Sequence, residues 1–460
     1  MLLNLLYLFL LVASFFEMRR QTKLISLGMH KELSRSLVVP GISIIVPAYN
    51  EEATIAESIT SLLQLDYPIY GIIVVNDGSK DNTLDVLKKS FSLRRIDKIY
   101  RKSIQTKPIN GAYVSPKHAN LIVIDKENGG KADALNCGIN ISSHPYFCAI
   151  DSDAVLEKDS ILRIMREIQE SPETIVAAGG IVRIANGCTI KNGQVLNITT
   201  PRNSVVNFQI VEYLRSYLCG RTGFSIINGL LIISGAFGIF NKQVVKEVGG
   251  YLADTVGEDM ELVVRLHRYL RDKKRDYKIV YANDPICWTE APESLKILSS
   301  QRNRWQRGLI ETMSKNMGML FNPRYGVIGF LSMPFFIFGE MLASVIELIG
   351  LITTIAFFYL GYIDYSFLLV FFLLTVIFGL FLSWSSILLE ELNFHKYTKS
   401  TDLIKLIFYS IIETFGYRQL NSWWRLKGFI DLLRKKKDWG TMTRKGFAQT
   451  PAGEATLERI

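Results

Sequence analysis

Two aspartates, Asp151 and Asp153, stand two positions apart directly after an apolar run that ends at Ile150. Carboxylates with this spacing at the end of a strand could share a hard divalent cation, Mg²⁺ or Mn²⁺, that also takes oxygens from a diphosphate. The alternative is that they only cap a following helix. A positively charged loop earlier in the chain could hold the same diphosphate, and this favours the metal.

That loop reads ENGGKADALN, from Glu127 to Asn136. Its two glycines allow the backbone to approach a ligand closely, and Lys131 offers a point charge suited to a diphosphate. A helix that restarts at Ala132 would favour anions at its N-terminus. The spacing is not that of a Walker A loop. The position of the loop after a strand therefore makes Lys131 a candidate diphosphate ligand.

Asp77 lies where a second strand gives way to the turn NDGSKDNT. Its carboxylate could reach a ribose or the edge of a base while the turn amides stay free. An Asp-Gly turn taken alone is usually only a turn. The motif PAYNEE, Pro47 to Glu52, ends the preceding strand. The pairing of the two strand ends favours a nucleotide contact for Asp77.

Glu258 and Asp259 open another predicted helix, Met260 to Tyr269. The helix dipole favours carboxylates there, so a purely structural role is one alternative. The other is catalytic, because a sugar hydroxyl that attacks an anomeric carbon needs a base close by. Asp259 is the candidate for that base.

The motif QRNRW places Gln301, Arg304 and Trp305 at helical positions i, i+3 and i+4, so they share one face. Arg304 could neutralise a departing diphosphate, and the Trp305 ring offers a flat apolar surface for a sugar. Trp305 could equally be a core or interface aromatic.

The elements that must position these residues alternate between strand and helix. β-branched runs occur at Ile42 to Val46, Gly71 to Val75, Leu121 to Ile124 and Phe147 to Ile150, and amphipathic stretches at Thr54 to Leu63 and Asn82 to Ser90. This alternation predicts an α/β domain with a mostly parallel sheet, which binds ligands beyond the carboxyl ends of its strands.

The composition of the 460 residues is 48% hydrophobic and 21% charged, which indicates one soluble and one lipid-embedded part. The net charge of +10 comes partly from Lys and Arg beside apolar segments, at Arg19, Arg20, Lys23 and 434–437. That distribution is typical of cytoplasmic helix ends. No basic stripe interleaved with aromatics occurs, so we expect no nucleic-acid partner. Five cysteines without a CxxC pair indicate a reduced, cytosol-facing domain.

Apolar segments flank the α/β region. Residues 1–20 read as an N-terminal transmembrane helix rather than a signal peptide, because no positive region precedes the apolar run. After Pro323 we expect an interfacial helix to about Glu340 and two spans. The segment from Leu403 to Trp424 is either a span or an interfacial helix. The predicted regions are 1–20, 38–325 (catalytic), 326–424 (interfacial and transmembrane) and 425–460 (basic cytoplasmic tail).

The ordered series PAYNEE, NDGS, GGKADALN, DSD, SGAFGIF, GED and QRNRW resembles the processive family-2 glycosyltransferases, the membrane synthases of polymers such as cellulose, hyaluronan and poly-N-acetylglucosamine. The resemblance covers roughly Ile42 to Arg324 and the flanking apolar helices. Two motifs depart from the usual pattern: NDG replaces DDG but keeps Asp77, and GED replaces TED but keeps Asp259.

The resemblance implies an α/β GT-A domain on the cytoplasmic side of the membrane, followed by α-helical transmembrane segments that form a channel. It also implies residue roles: nucleotide-sugar binding by Asp77, Lys131, Asp151 and Arg304, metal binding by Asp151 and Asp153, general base catalysis by Asp259, and acceptor binding by Gln301 and Trp305.

We therefore expect a multi-pass enzyme of the plasma (inner) membrane that polymerises a β-linked polysaccharide from UDP-GlcNAc or UDP-glucose, with inversion, and extrudes it. Its expected partners are the UDP-sugar, the growing chain, membrane lipid and an accessory export or regulatory subunit. A nonprocessive enzyme that glycosylates a lipid carrier is the main alternative. A pseudoenzyme that only guides a polymer is disfavoured, because the full set of carboxylates is present.

Overall fold

The computed structural model describes residues 2–26, 39–97, 100, 102–191 and 194–434. Two of the predicted regions, the catalytic domain and the basic tail, extend beyond these residues. Val38, where the predicted catalytic domain begins, and residues 435–460 of the predicted basic tail lie outside the described residues.

The strands of the described part are β1 Ile42–Ala48, β2 Tyr70–Asp77, β3 Arg94–Ile96, β4 Ile109–Val114, β5 Leu121–Lys126, β6 Tyr146–Ile150, β7 Ala154–Leu156, β8 Ile175–Ile184, β9 Thr189–Lys191, β10 Gln194–Asn197, β11 Phe237–Asn241 and β12 Lys278–Thr289. All but β9 and β10 belong to one sheet, in the order β3-β4-β5-β2-β1-β6-β11-β8-β12-β7.

The α-helices are α1 Leu2–Ser26, α2 Ile55–Leu62, α3 Thr83–Phe91, α4 Lys131–Ile141, α5 Ser160–Glu170, α6 Ser204–Leu214, α7 Thr222–Ile226, α8 Lys242–Glu247, α9 Glu258–Asp272, α10 Leu295–Lys315, α11 Ala343–Tyr359, α12 Tyr365–Asn393, α13 Ser400–Ile412 and α14 Arg418–Leu433. Wider π-helical turns occur at Arg215–Arg221, Ile328–Ser332, Phe335–Met341 and Glu413–Tyr417, and 3₁₀ turns at Met317–Met319 and Pro323–Tyr325.

The centre of the sheet is built as the sequence predicts. Strands β5, β2, β1 and β6 run parallel, and every residue of β1 is buried. Helix α4 packs against β1 and β2, so these strands have little contact with water and read as continuous apolar runs. Their carboxyl ends lie at one edge, which brings Asp77 and Asp151 to the same side of the sheet.

The parallel pairing that the sequence predicts holds for the central strands and for the pair β8 and β12, but the sheet as a whole also contains antiparallel strands. Strand β11 lies between β6 and β8 and is antiparallel to both. Strands β3, β4 and β7 are also antiparallel to their neighbours, so the sheet is mixed. The sequence pattern reveals the strands but not the direction in which distant strands pair.

The described chain after α10 consists of helices and helical turns. Among the described residues, α12 is long and apolar enough to cross a membrane. Residues Ile328–Met341 and Ala343–Tyr359 pass the same test together, but they are bent by 53° at their junction, near the predicted interfacial boundary. The segment predicted as Leu403 to Trp424 is not one continuous helix, because Phe415 and Gly416 have non-helical backbone angles that separate α13 from α14.

Candidate active site

The carboxyl ends of β1 and β2 carry two loops that are locked together. The backbone amide of Glu51 donates to Thr83 Oγ1 (2.8 Å), and the amide of Lys80 donates to Asn50 Oδ1 (2.8 Å). Asn50 has a φ of 57°, a left-handed conformation that Asn tolerates well. These contacts explain why PAYNEE and NDGSKDNT occur as a pair, since each supplies polar partners for the backbone of the other.

Asp77 is buried, and both of its carboxylate oxygens are engaged by protein groups. Lys126 Nζ lies 2.6 Å from Oδ1, which also accepts from the amide of Gly129 (3.0 Å), while Oδ2 accepts from the amide of Gly130 (2.7 Å). In this structure Asp77 therefore holds the glycine loop that precedes Lys131. A direct nucleotide contact by Asp77 stays a prediction.

Lys131 is the first residue of α4, and its ammonium lies among acidic groups. Nζ is 2.5 Å from Asp151 Oδ1 and 3.7 Å from Glu258 Oε1. Burial alone would lower the pKa of Lys131, but the charges of these two carboxylates outweigh it and raise the pKa. Lys131 is therefore a permanent cation that links the end of β6 to the start of α9.

Asp259 lies beside the same ammonium. Its Oδ2 accepts a hydrogen bond from the backbone amide of Gly235 (3.1 Å), in the loop before β11. A Cβ built on Gly235 would lie 2.9 Å from Lys131 Nζ and 3.4 Å from Asp259 Oδ2, so a larger residue there would displace the end of the Lys131 side chain. The structure thus brings Lys131, Asp151 and Asp259 close together.

The helix α10 meets the N-terminus of α9 at a pair of glycines. A Cβ on Gly308 would lie 2.8 Å from the Cα of Gly257, which is the residue before Glu258. Arg304 lies one turn earlier on α10, and its charge opposes the rise in the pKa of Glu258. The backbone contact therefore sets how close the QRNRW face comes to the acidic residues of α9.

Gln301 and Trp305 differ in their surroundings. The Trp305 side chain is exposed (43%), and the Arg302 guanidinium lies 4.5 Å from the centroid of its ring. The amide oxygen of Gln301 is buried and has no hydrogen-bond partner in the described part of the chain. A buried amide oxygen without a partner is costly, so an incoming hydroxyl donor would be stabilised there.

Comparison with known proteins agrees with this geometry. Residues 43–249 match the family described as Glycosyl transferase family 2. This chain contains a family-2 glycosyltransferase domain. It is homologous to the poly-β-1,6-N-acetyl-D-glucosamine synthase of Staphylococcus epidermidis, with 29% identity over 294 residues that cover 62% of this chain and 60% of that protein.

The Staphylococcus aureus (strain COL) protein of the same name is 28% identical over 277 residues, which cover 60% of this chain and 56% of that protein. The chain thus spans less than two thirds of the length of these relatives. The mannosyltransferase PcManGT from Pyrobaculum calidifontis, solved in complex with GDP-Man and Mn²⁺, matches 93% of this chain and 100% of its own at 14% identity, with a TM-score of 0.52. This likeness shows the GT-A fold.

The carboxylates of the glycosyltransferase domain fit a divalent cation whose coordination shell is completed by oxygens from another molecule. Within the described ranges, no group of three or more His, Cys, Asp or Glu side chains could hold a metal ion. Asp153 is buried and Asp151 is partly exposed, so together they offer hard oxygen donors but too few for a full shell. Such a site suits a cation that arrives with a diphosphate.

Two residues near these carboxyl ends of the sheet were not singled out by the sequence pattern. Lys126 is fully buried and contacts both Asp77 and Asp133 at 2.6 Å. Tyr49, at the end of β1, is an exposed aromatic (44%) on the same side as Asp77. The available signals were a lysine that ends a buried apolar strand and an aromatic inside PAYNEE. A fully buried lysine is unusual.

Proposed function

We propose that the protein transfers a sugar from a UDP-sugar to the nonreducing end of a growing β-linked polysaccharide, with inversion at the anomeric carbon. One observation carries the proposal: the Lys131 ammonium lies between Asp151 and Glu258, next to Asp259. A diphosphate bound to Lys131 would bring its sugar close to a carboxylate that can act as base. The names of the homologous synthases support N-acetylglucosamine as the sugar and a polymer as the product.

In the proposed reaction, Asp259 accepts the proton of the acceptor hydroxyl as that oxygen attacks the anomeric carbon. The bond from this carbon to the diphosphate breaks, and Lys131 and Arg304 stabilise the negative charge of the leaving group. A divalent cation at Asp151 and Asp153 would add further positive charge to the diphosphate. No covalent intermediate is needed, since one displacement inverts the configuration.

Trp305 and Gln301 are proposed to hold the acceptor sugar. The exposed ring of Trp305 offers an apolar face for stacking, and the buried Gln301 oxygen offers an acceptor for a sugar hydroxyl. The apolar helices α1, α11 and α12 support a multi-pass location in the plasma (inner) membrane and extrusion through it. With the lysines and arginines beside these helices on the cytoplasmic side of the membrane, the catalytic domain would also face the cytoplasm.

The deciding experiment is size analysis of radiolabelled product from purified protein in detergent, with UDP-GlcNAc and UDP-glucose supplied separately. We expect one of these sugars to give a long polymer. Trp305→Ala should shorten or abolish the polymer while UDP affinity stays intact, and Trp305→Phe should retain some polymer because a ring remains.

The outcome against the proposal is equally definite. A wild-type protein that yields only a single-sugar product, extractable into organic solvent and unchanged by Trp305→Ala, would act on a lipid carrier.

A further inference from the structure

The helix α10 has a second face that points away from the sugar-binding residues. Arg302, Asn303 and Gln306 are all buried on it. Asn303 Nδ2 donates to Asp431 Oδ2 (2.9 Å), and Gln306 Oε1 accepts from Arg425 Nε (2.9 Å). Both partners belong to α14. The C-terminal helix α14 therefore holds α10, which carries Trp305, on the face that points away from the sugar-binding residues.

Arg302 connects this buried face to the exposed Trp305 ring. Its guanidinium lies 4.5 Å from the ring centroid and forms two parallel hydrogen bonds to Glu212 of α6, each 2.8 Å long. A bidentate pair fixes the plane of a guanidinium as well as its position. Because Arg302 covers one face of the Trp305 ring, Glu212 limits how far that ring can tilt or slide.

Tyr417 completes the connection. Its hydroxyl donates to Glu212 Oε2 (3.1 Å), and its ring stacks on Phe208 with centroids 4.7 Å apart. Tyr417 directly follows the backbone break at Phe415 and Gly416 that separates α13 from α14. The position of this break therefore affects where Tyr417 holds the Glu212 side chain, and through Glu212 it affects the position of Arg302.

We propose that Glu212 and Tyr417 are positioning residues for Trp305, and that they act through Arg302 to couple the break between α13 and α14 to the acceptor site. The inference rests on the proposed function, because it takes Trp305 as the acceptor platform. A movement of the helices around the break would change the tilt of the ring. The length of the product would change with it, without any change at the donor site.

The cleanest test is Tyr417→Phe, which removes one hydroxyl and keeps the stacked ring. The mean product length should fall roughly tenfold or more, in line with the loss of one hydrogen bond to a charged group, while the KM for the UDP-sugar stays within about twofold. Tyr269→Phe is the matched control, because Tyr269 also donates to a glutamate, Glu247, but far along α9 from the catalytic residues. This control should leave product length unchanged.

A double-mutant comparison separates positioning from a general loss of stability. Where the Trp305→Ala protein still makes a shortened product, Tyr417→Phe should shorten it no further, because the ring that it positions is gone. Where that protein makes no polymer, the comparison of Tyr417→Phe with Tyr269→Phe decides. Glu212→Gln should behave like Tyr417→Phe but more strongly, and Glu212→Asp should recover part of the length. A further shortening by Tyr417→Phe in the Trp305→Ala background would overturn the proposal.

The two proposals fail in different ways. If wild-type protein makes polymer and Tyr417→Phe leaves its length unchanged, the positioning role is wrong and the synthase function stands. If wild-type protein makes no polymer with either UDP-sugar, the proposed function itself is wrong. Should Glu212→Gln fail to fold, the milder Tyr417→Phe still decides the matter.

Discussion

The Lys131 ammonium lies 2.5 Å from the Asp151 carboxylate, and the two residues come from different sequence motifs. Each is predicted to bind a part of the substrate complex, Lys131 the diphosphate and Asp151 the metal. Donor binding would thus exchange one internal ion pair for two ion pairs with the ligand. Because the exchange leaves no charge unpaired, donor and cation should bind together more favourably than either does alone.

The metal assignment is tested by Asp153→Asn. Turnover should be lost, and UDP affinity in Mg²⁺ or Mn²⁺ should fall roughly tenfold or more, because one hard ligand is removed. With a chelator present, the variant and the wild type should bind UDP alike in titration calorimetry. Asp85→Asn, in an exposed ion pair on α3, is the control. Full wild-type activity in EDTA would contradict the assignment.

The base assignment is tested by Asp259→Asn. This protein should bind UDP with nearly native affinity yet turn over roughly 100-fold or more slowly, as expected for a lost general base. Single-turnover kinetics and equilibrium UDP binding measure the two quantities separately. A parallel fall in affinity and rate would show that Asp259 is structural.

Glu258 should make stability depend on pH. Burial raises the pKa of its carboxyl from 4.5 to about 7, against the opposing charge of Lys131. The folded protein therefore keeps this proton at a pH where the unfolded chain has released it. The contribution to stability is fully present below about pH 4.5 and is lost as the pH rises through about 7.

Glu258→Gln removes this titration. Thermal unfolding between pH 5 and 8 should show a smaller decline of the midpoint with rising pH in the variant than in the wild type. Glu167, a half-buried carboxyl whose pKa is also raised to about 7 by desolvation, remains in both proteins and cancels in the difference. Identical pH profiles would mean that Glu258 does not hold its proton in the folded state.

The contact between α9 and α10 is tested by Gly308→Ala. The new methyl group would meet the backbone of Gly257, which cannot rotate away, so α10 must shift. We expect a loss of roughly 1–3 kcal/mol in the free energy of unfolding, and a larger fall in polymer synthesis than in UDP binding. Gly318→Ala is the control, because a Cβ there meets nothing within 4 Å. Equal behaviour of the two variants would show that the contact tolerates a methyl group.

The departure from the usual DDG motif has a local explanation. Asn76 Nδ2 donates to Asp125 Oδ1 on the neighbouring strand (2.7 Å). An aspartate at this position would face the half-buried Asp125 carboxylate without a donor between them, which is unfavourable. Asn76 and Asp125 therefore form a pair, although they lie far apart in the sequence and nothing in the motif itself indicates it.

Local pattern alone determined much of this protein. The four central strands, the glycine loop before Lys131 and the shared helical face of Gln301 and Trp305 were all predicted, because each follows from side-chain periodicity or turn chemistry over a few residues. These features are set by short-range sterics and hydrogen bonding, which act the same way wherever the segment lies.

Only the tertiary structure decided which charges meet. The pairs Lys126 with Asp77 and Arg302 with Glu212 join residues 49 and 90 positions apart, and the antiparallel insertion of β11 joins strands with a similar separation. Such pairings depend on how the whole chain closes, since a charge is stabilised only by the partner that the fold brings within a few ångströms. No local period encodes that partner, so the sequence suggests candidate binding residues but not the residues that hold them.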